Sequence, residues 1–118
     1  MADLLQTAYG VLNPLAPGGA HYAMNDVQPP VLPYIVFRRI VSTTNNTLAG
    51  ATDLQNTRLQ VDVYARTVAE TVAIGNAITA TMASAPWPAC VQLTSADLFE
   101  PDTRLYRSIL EFSVWSVG

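Results

Sequence analysis

Residues 57–66 read TRLQVDVYAR and form the most regular alternation of apolar and polar residues in this 118-residue chain. Side chains of a β-strand point alternately to its two faces. The stretch therefore predicts a strand with one face on a core and the other face polar and available. The apolar positions are Leu59, Val61, Val63 and Ala65; the polar positions are Arg58, Gln60, Asp62, Tyr64 and Arg66.

A helix is predicted directly after this strand. Thr67 and Glu70 have the spacing of a capping box, and Pro86 ends the helix after about 18 residues. Bulky side chains on it are Val68, Val72, Ile78 and Met82, and small ones form the stripe Ala69, Ala73, Ala77 and Ala80. We expect this alanine stripe to let the helix lie close to a sheet.

The first third of the chain predicts a short helix and a long loop. Apolar residues from Leu4 to Leu12 follow helical spacing, and Asn13-Pro14 ends the helix. Residues 14–33 contain five prolines and predict a loop without regular structure. Two interpretations of this loop remain open, a connector docked on the surface and an arm that binds a partner.

A second strand is predicted at residues 34–42 (YIVFRRIVS), which are rich in β-branched and aromatic residues. Arg38 and Arg39 indicate that one end of it is exposed. Residues 43–56 are polar and contain a glycine, and their number exceeds that of a tight hairpin turn. They predict a long polar loop.

Two further strands are predicted near the end of the chain. Residues 90–94 form a short strand, a turn follows at residues 100–103 (EPDT), and residues 104–117 form a long last strand. One face of the last strand carries Tyr106, Leu110, Phe112 and Val114, and the other carries Arg107, Ile109, Glu111, Ser113 and Trp115. The order α-β-β-α-β-β predicts a single α+β domain over residues 3–117, with an antiparallel or mixed sheet and the helices packed on one face.

Charge and composition exclude several classes of protein. The formal net charge is −3, with six arginines and no lysine, so the chain lacks the basic surface that phosphate backbones require. Residues 71–96 carry no charge, but Gly75, Asn76 and two prolines interrupt them, so we predict no membrane span. The first residues lack a basic segment, and we expect a soluble intracellular protein.

Residues able to perform chemistry are few and scattered. The single histidine, His21, lies in the proline-rich loop without a motif around it, and the single cysteine, Cys90, opens an apolar strand as an inert thiol does. Asp97, Glu100 and Asp102 surround a proline turn without the spacing of a calcium loop. We therefore expect no enzyme, no cofactor and no bound metal.

The polar strand faces leave two interpretations open. A solvated sheet surface is the ordinary one for an antiparallel sheet. A subunit interface is the other, because tyrosine, tryptophan and arginine are favoured at interfaces.

Four blocks of the sequence together resemble one family. Residues 33–37 (PYIVF), 57–65 (TRLQVDVYA), 100–107 (EPDTRLYR) and 112–115 (FSVW) are similar to the tail-completion, or tail-terminator, proteins of long-tailed phages and prophages. The blocks occur in the family's order, and the resemblance spans roughly residues 3–116. The proline-rich loop is longer than expected of the family.

The resemblance implies a structural role in the virion tail or neck, with assembly in the host cytoplasm. Members of the family form a ring, typically a hexamer, on the head-proximal end of the tail tube. The ring stops tube polymerisation and joins the tail to a head-completion protein, and DNA passes through its lumen. Six copies at −3 each would carry −18, which suits a conduit that does not hold DNA.

Candidate site residues follow from combining this implication with the strand faces. We expect ring or partner contacts, or pairs that support them, at Arg58, Gln60, Asp62, Tyr64, Arg107, Glu111 and Trp115. We expect contact with the tube at Thr44, Asn45, Asn46, Leu48 and Asp53 of the polar loop. An Asp62→Arg change is expected to block ring assembly without unfolding the monomer.

An alternative from another class is a small intracellular ligand-binding or regulatory module. It would use Tyr22, Trp87 or Trp115 in an apolar pocket.

Overall fold

The computed structural model describes residues 4–27, 29–44, 54–85, 87 and 89–117. Its elements are helix α1 (Leu4–Leu12), a 3₁₀ turn (Asn13–Leu15), strands β1 (Ala20–Tyr22), β2 (Tyr34–Thr44) and β3 (Leu54–Ala65), helix α2 (Val68–Ser84), and strands β4 (Ala89–Glu100) and β5 (Leu105–Val117). This α+β arrangement confirms the predicted class and contains one strand, β1, that the sequence analysis did not predict.

The five strands form one mixed sheet in the order β1-β2-β3-β5-β4. The short β1 runs parallel to β2, and every other neighbouring pair is antiparallel. Consequently β1 and β4 lie at opposite edges, with β3 and β5 in the centre.

One face of the sheet and the two helices enclose the core. Leu59, Val61, Val63 and Ala65 of β3 are fully buried, as the alternation predicts. From the other elements, Ala8 and Leu12 of α1, Ile78 and Met82 of α2, Ile35 and Phe37 of β2, and Leu110, Phe112 and Val114 of β5 complete the core. Each large apolar side chain buried there contributes about 1.5–3 kcal/mol to folding.

Helix α2 presents a different face to the sheet from the predicted one. Its buried residues are Thr71, Ile74, Gly75, Ile78 and Met82. Val68 and Val72 are about half exposed, and most of the alanine stripe faces outward. The stripe prediction is wrong because Ile74, Ile78 and Met82 bury more apolar area than any orientation that turns the alanines inward.

The capping box at the start of α2 is confirmed. The backbone N–H of Glu70 donates to the Thr67 hydroxyl at 3.2 Å, and that hydroxyl donates to the Glu70 carboxylate, also at 3.2 Å.

The proline-rich segment is structured where the sequence predicted a loop. The N–H of Gly18 donates to Pro33 O at 2.8 Å, and the N–H of Ile35 donates to Gly19 O at 2.9 Å. A Cβ on Gly18 would lie 1.9 Å from the carbonyl oxygen of Val31, so no other residue fits there without movement. These contacts favour the docked connector over the free arm for this part of the segment.

Two strands are longer than predicted. Thr44 pairs with Gln55 in the β2–β3 hairpin, so residues 43–44 and 54–56 of the expected loop at 43–56 belong to strands, and residues 45–53 lie outside the described residues. Strand β4 continues to Glu100 instead of ending at residue 94. Its backbone forms a ladder with β5, which requires no alternation of side chains.

In the described part of the chain, neither helix has the length and apolar character needed to cross a membrane.

Candidate interface site

The face of the sheet turned away from the helices is here called the open face. Its members are Tyr34, Val36 and Arg38 of β2, Arg58, Gln60, Asp62 and Tyr64 of β3, and Arg107, Ile109, Glu111, Ser113 and Trp115 of β5. All seven residues predicted as interface residues therefore lie on one surface. The register explains this, because it places Asp62 opposite Ile109, Tyr64 opposite Arg107 and Gln60 opposite Glu111.

A buried ion pair lies at one end of the open face. A guanidinium nitrogen of Arg107 is 2.6 Å from Asp62 Oδ2, and the two side chains are 18% and 4% exposed. The amide of Gln60 donates to both carboxylate oxygens of Asp62, at 3.1 and 3.2 Å. A second guanidinium nitrogen of Arg107 contacts Glu100 at 3.3 Å, which ties the end of β4 to the centre of the sheet.

The charge state of Arg107 follows from these partners. Burial lowers the pKa of Arg107, but the hydrogen bond and charge of Asp62, together with Tyr64 and Glu100, outweigh burial, so the pKa of Arg107 is raised. Its Nε is buried and finds no hydrogen-bond partner among the residues that the structure describes. Arg107 stays charged, as arginine does in proteins, and Asp62 is its nearest compensating partner.

Two tyrosines pack beside this ion pair. The rings of Tyr34 and Tyr64 are stacked with centroids 4.9 Å apart, and the Arg107 guanidinium lies 5.4 Å from the centroid of Tyr64. Burial is the main cause that raises the pKa of both phenols. This end of the open face is therefore a packed aromatic and ionic cluster.

The middle and far parts of the open face are more exposed. Arg58 Nε lies 3.9 Å from Glu111 Oε1, with the side chains 49% and 27% exposed. The Asn56 amide donates to the Ser113 hydroxyl at 2.7 Å, and Trp115 is half-buried nearby. Arg58 and Glu111 remain accessible to a partner surface.

The structure corrects one prediction for this site. Asp62 was expected on an available polar face, but it is 3% exposed and enclosed by Arg107 and Gln60. A charge reversal at Asp62 would place two cations against each other in a buried position. The expected Asp62→Arg phenotype, a folded monomer that fails to assemble, is therefore withdrawn.

Glu100 and Tyr34 also belong to the site, although they were not among the predicted residues. Glu100 was assigned to a turn, and its contact with Arg107 depends on how β4 and β5 pair. Tyr34 was recognised only as the start of a strand. The QVDVY pattern indicates a polar face. The pattern of one strand does not show which side chains of the neighbouring strand its residues contact.

Most residues predicted to contact the tube lie outside the part of the chain that the structure describes. Asn45, Asn46, Leu48 and Asp53 lie outside the described residues, and Thr44 is described only as the last residue of β2. Both strands of this hairpin end on the side of the sheet opposite the 101–104 turn. That turn is closed by the Arg104 N–H, which donates to Glu100 O at 2.8 Å.

The candidate chemical groups lie apart from one another. His21 Nε2 is 2.9 Å from the Gly18 carbonyl oxygen, within β1 and its connector. Burial raises the pKa of Cys90 to about 11, which disfavours the reactive thiolate. Within the described ranges, no three His, Cys, Asp or Glu side chains are grouped to hold a metal ion.

The three aromatics of the alternative function do not converge on one pocket. Tyr22 lines a shallow apolar groove of about 310 Å³ with Leu5, Gln6, Tyr9 and Phe37. The Trp87 indole N–H donates to Met82 O at 2.9 Å at the end of α2. Trp115 lies on the open face, opposite Ala89 in the β4–β5 ladder.

Strand β4 is the most exposed element of the sheet. Residues 91–99 are all exposed, including the apolar side chains Val91, Leu93, Leu98 and Phe99. The strand is attached at both ends, by the half-buried Cys90 and by the contact of Glu100 with Arg107. Exposed apolar side chains along an edge are typical of an interaction surface.

Comparison with known proteins gives one result that covers nearly the whole chain. The model of the family described as "Tail completion protein gp17" matches residues 7–116. No curated protein matches the chain.

Proposed function

The chain belongs to the phage tail completion protein family, and from this premise we propose that it forms the ring that ends the tail tube. Family membership makes it a structural component of the virion tail. The proposed ring is a hexamer at the head-proximal end of the tube. It stops tube polymerisation and presents a surface to the head-completion protein. The observation that carries this proposal is the family match over residues 7–116.

The shape of the subunit supports assembly into a ring. A closed ring of identical copies requires two different surface patches that fit each other. The sheet has two dissimilar edges, and Arg38 and Arg58 on its open face are exposed. These surfaces are available to neighbouring copies.

We assign different roles to the seven candidate interface residues. Asp62 and Arg107 support the site, because their buried pair fixes the end of the sheet. The other five are the ones offered to neighbouring copies or to the neck: Arg58 is exposed, and Gln60, Tyr64, Glu111 and Trp115 are partly exposed.

The charge distribution supports passage of DNA without retention. Arg58 and Arg107 face carboxylates of Glu111 and Asp62, so these open-face arginines are partly or wholly neutralised. The acidic net charge of each copy also disfavours binding to the DNA phosphates. The proposed lumen therefore needs no specific DNA contacts and no cofactor.

The hairpin between β2 and β3 is our candidate for contact with the tail tube protein. Its strands remain paired as far as Thr44 and Gln55, which form the base of the hairpin. Replacing residues 46–52 with a short glycine-serine turn keeps that base. We expect a folded protein that no longer caps tubes, measured by tail length in electron micrographs, and normal tail lengths would exclude this contact.

The main test is electron microscopy of particles produced without this protein. We expect overlong tails, or tails detached from filled heads, and recovery when the wild-type gene is supplied separately. Tails of normal length that remain attached to capsids would overturn the proposed function.

A further inference from the structure

The two edges of the sheet suggest how copies of the chain join. We propose that β4 of one copy pairs with the uncovered part of β2 of a second copy, so that the sheet continues from subunit to subunit. This inference rests on the proposed ring and specifies its interface.

The β4 edge has the properties of a strand that awaits a partner. It is 12 residues long and pairs with β5 on one side. It contains no lysine, and no proline lies within it. Natural edge strands usually carry such residues, or remain short, to prevent pairing with other chains. Its one irregularity is a register shift between Gln92 and Thr94, which leaves the stretch from Thr94 to Glu100 regular.

The matching edge lies on the far side of the sheet. Strand β1 pairs with β2 at Ile35, Val36 and Phe37. The next residue after β1, Ala23, has a φ of 69° and turns the chain away from the strand direction. Within the described part of the chain, β2 from Arg38 to Thr44 therefore has a strand partner on the β3 side alone.

Strand polarity allows the two edges to pair in a ring. Strands β2, β3, β5 and β4 alternate in direction, so β4 runs opposite to β2. Rotation about a ring axis inclined to the strands preserves this antiparallel sense and offsets neighbouring copies along the strands. An Arg39–Asp97 contact requires such an offset, because the register within one copy aligns Arg39 with Gln92. The β4 strand of one copy therefore meets β2 of the next in the antiparallel sense, which gives the more stable ladder.

The exposed charges on the two edges are opposite in sign. Arg38 and Arg39 are exposed on β2, and Asp97 is exposed on β4. None of the three forms an ion pair among the described residues. A β4–β4 contact would instead bring together strands whose charges, Asp97 and Glu100, are all negative. Charge complementarity thus favours β2 of a second copy as the occupant.

Cysteine cross-linking tests the contact and its register. In a Cys90→Ser background, Arg39→Cys is combined in turn with a cysteine at Gln92, Thr94, Ser95, Ala96 or Asp97, and oxidised tails are analysed on non-reducing gels. Paired antiparallel residues have Cα atoms about 4.5–5.5 Å apart, within disulfide reach. We expect a ladder of covalent oligomers for one register or two adjacent ones. Dimers through a β4 cysteine alone, bonds to the tube protein, or no oligomer at any register would overturn the proposal.

Charge reversal tests the same contact in assembled particles. Asp97→Arg or Arg39→Asp alone should lower the yield of intact tails at least about 100-fold, because like charges repeat at each contact of the ring. The double variant should recover most of the yield. Asp102→Arg and Arg66→Asp make the same charge changes at exposed positions outside strands β2 and β4 and should lower the yield less than about threefold.

Folding is checked separately, by the thermal unfolding of each purified variant. All four substituted positions are exposed, so unfolding should remain close to wild type. Failure of this inference is distinguishable from failure of the proposed function. Defective tails in the deletion, together with full recovery by Asp97→Arg, would reject the β4–β2 contact alone. Normal tails in the deletion would reject the function.

Discussion

The two edges of the sheet are built in opposite ways. At the β1 edge, three residues pair with β2, and the connector that holds them is anchored by backbone hydrogen bonds from Gly18 and to Gly19. At the β4 edge, 11 residues pair with β5, and the described side-chain contacts lie towards the two ends of the strand, at Cys90 and Gln92 and at Phe99 and Glu100. The first edge is partly covered by its own chain, and no described strand pairs with the outer side of the second.

This difference separates residues that stabilise the monomer from residues free to serve assembly. A covered edge contributes to folding and tolerates little change. An uncovered edge retains exposed apolar groups that cost solubility unless a partner buries them. Substitutions at the two edges should therefore affect different measurements.

The largest expected effect is at the covered edge. Gly18→Ala places a Cβ 1.9 Å from Val31 O and 2.8 Å from Pro33 O, so the connector must move away from β2. We expect a loss of about 3 kcal/mol in the free energy of unfolding, measured by chemical denaturation. A loss below about 0.5 kcal/mol would show that the connector is not docked as described.

Gly10→Ala is the matched control. A Cβ at Gly10 meets nothing within 4 Å, and the residue lies inside α1. Alanine is a better helix former than glycine, so this change should stabilise the protein by about 0.5–1 kcal/mol.

The next effect concerns the ion pair that ties β4 to the centre of the sheet. Asp62→Ala leaves the Arg107 guanidinium largely buried, with Glu100 as its remaining anionic contact. We expect a loss of about 2–3 kcal/mol in unfolding free energy. Arg58→Ala breaks the exposed pair with Glu111 on the same strands and should cost less than about 0.5 kcal/mol. If both variants lost the same unfolding free energy, the Asp62–Arg107 pair would support the fold no more than the exposed Arg58–Glu111 pair does.

Cys90 is the second residue of strand β4, and pH tests how firmly that end of the strand is held. Burial raises the pKa of this thiol from 9.0 to about 11, so the folded state retains a proton that the unfolded chain releases. The protonated, buried thiol therefore contributes to stability below pH 9, and this contribution is lost as pH rises towards 11. Because solvent screens the half-buried thiol, we expect a loss of about 1 kcal/mol, measured by denaturation at each pH. Cys90→Ser should remove this part of the pH dependence, and an unchanged profile would place the thiol in water.

The central strands could be predicted from sequence because their side chains encode the sheet directly. Alternation at residues 57–66 identifies Leu59, Val61 and Val63 as core, and all three are fully buried. The last strand alternates in the same way, and its predicted faces are correct. Long strands with one face on a core show this period clearly.

The edges could not be predicted because backbone contacts define them. Strand β1 is three residues long and is held through Gly18 and Gly19, so no side-chain period marks it. Residues 94–97 of β4 (TSAD) face solvent, and without a buried face they show no alternation. The ion pair between Asp62 and Arg107 could not be predicted for a related reason. Arg107 lies 45 residues away in the chain, and the register of β3 and β5 brings the two side chains together.

The smallest expected effect compares one residue on the uncovered edge with one on the covered edge. Val91 on β4 is 55% exposed, and Val36 on β2, where β1 covers the edge, is 8% exposed. Val91→Thr should change the unfolding free energy by less than about 0.3 kcal/mol, because the new hydroxyl stays in water. Val36→Thr buries its new hydroxyl and should lower the unfolding free energy by about 1 kcal/mol. Chemical denaturation of both variants measures this difference. A cost at Val91 equal to that at Val36 would mean that β4 is already covered in the isolated subunit, and the contrast between the two edges would then be lost.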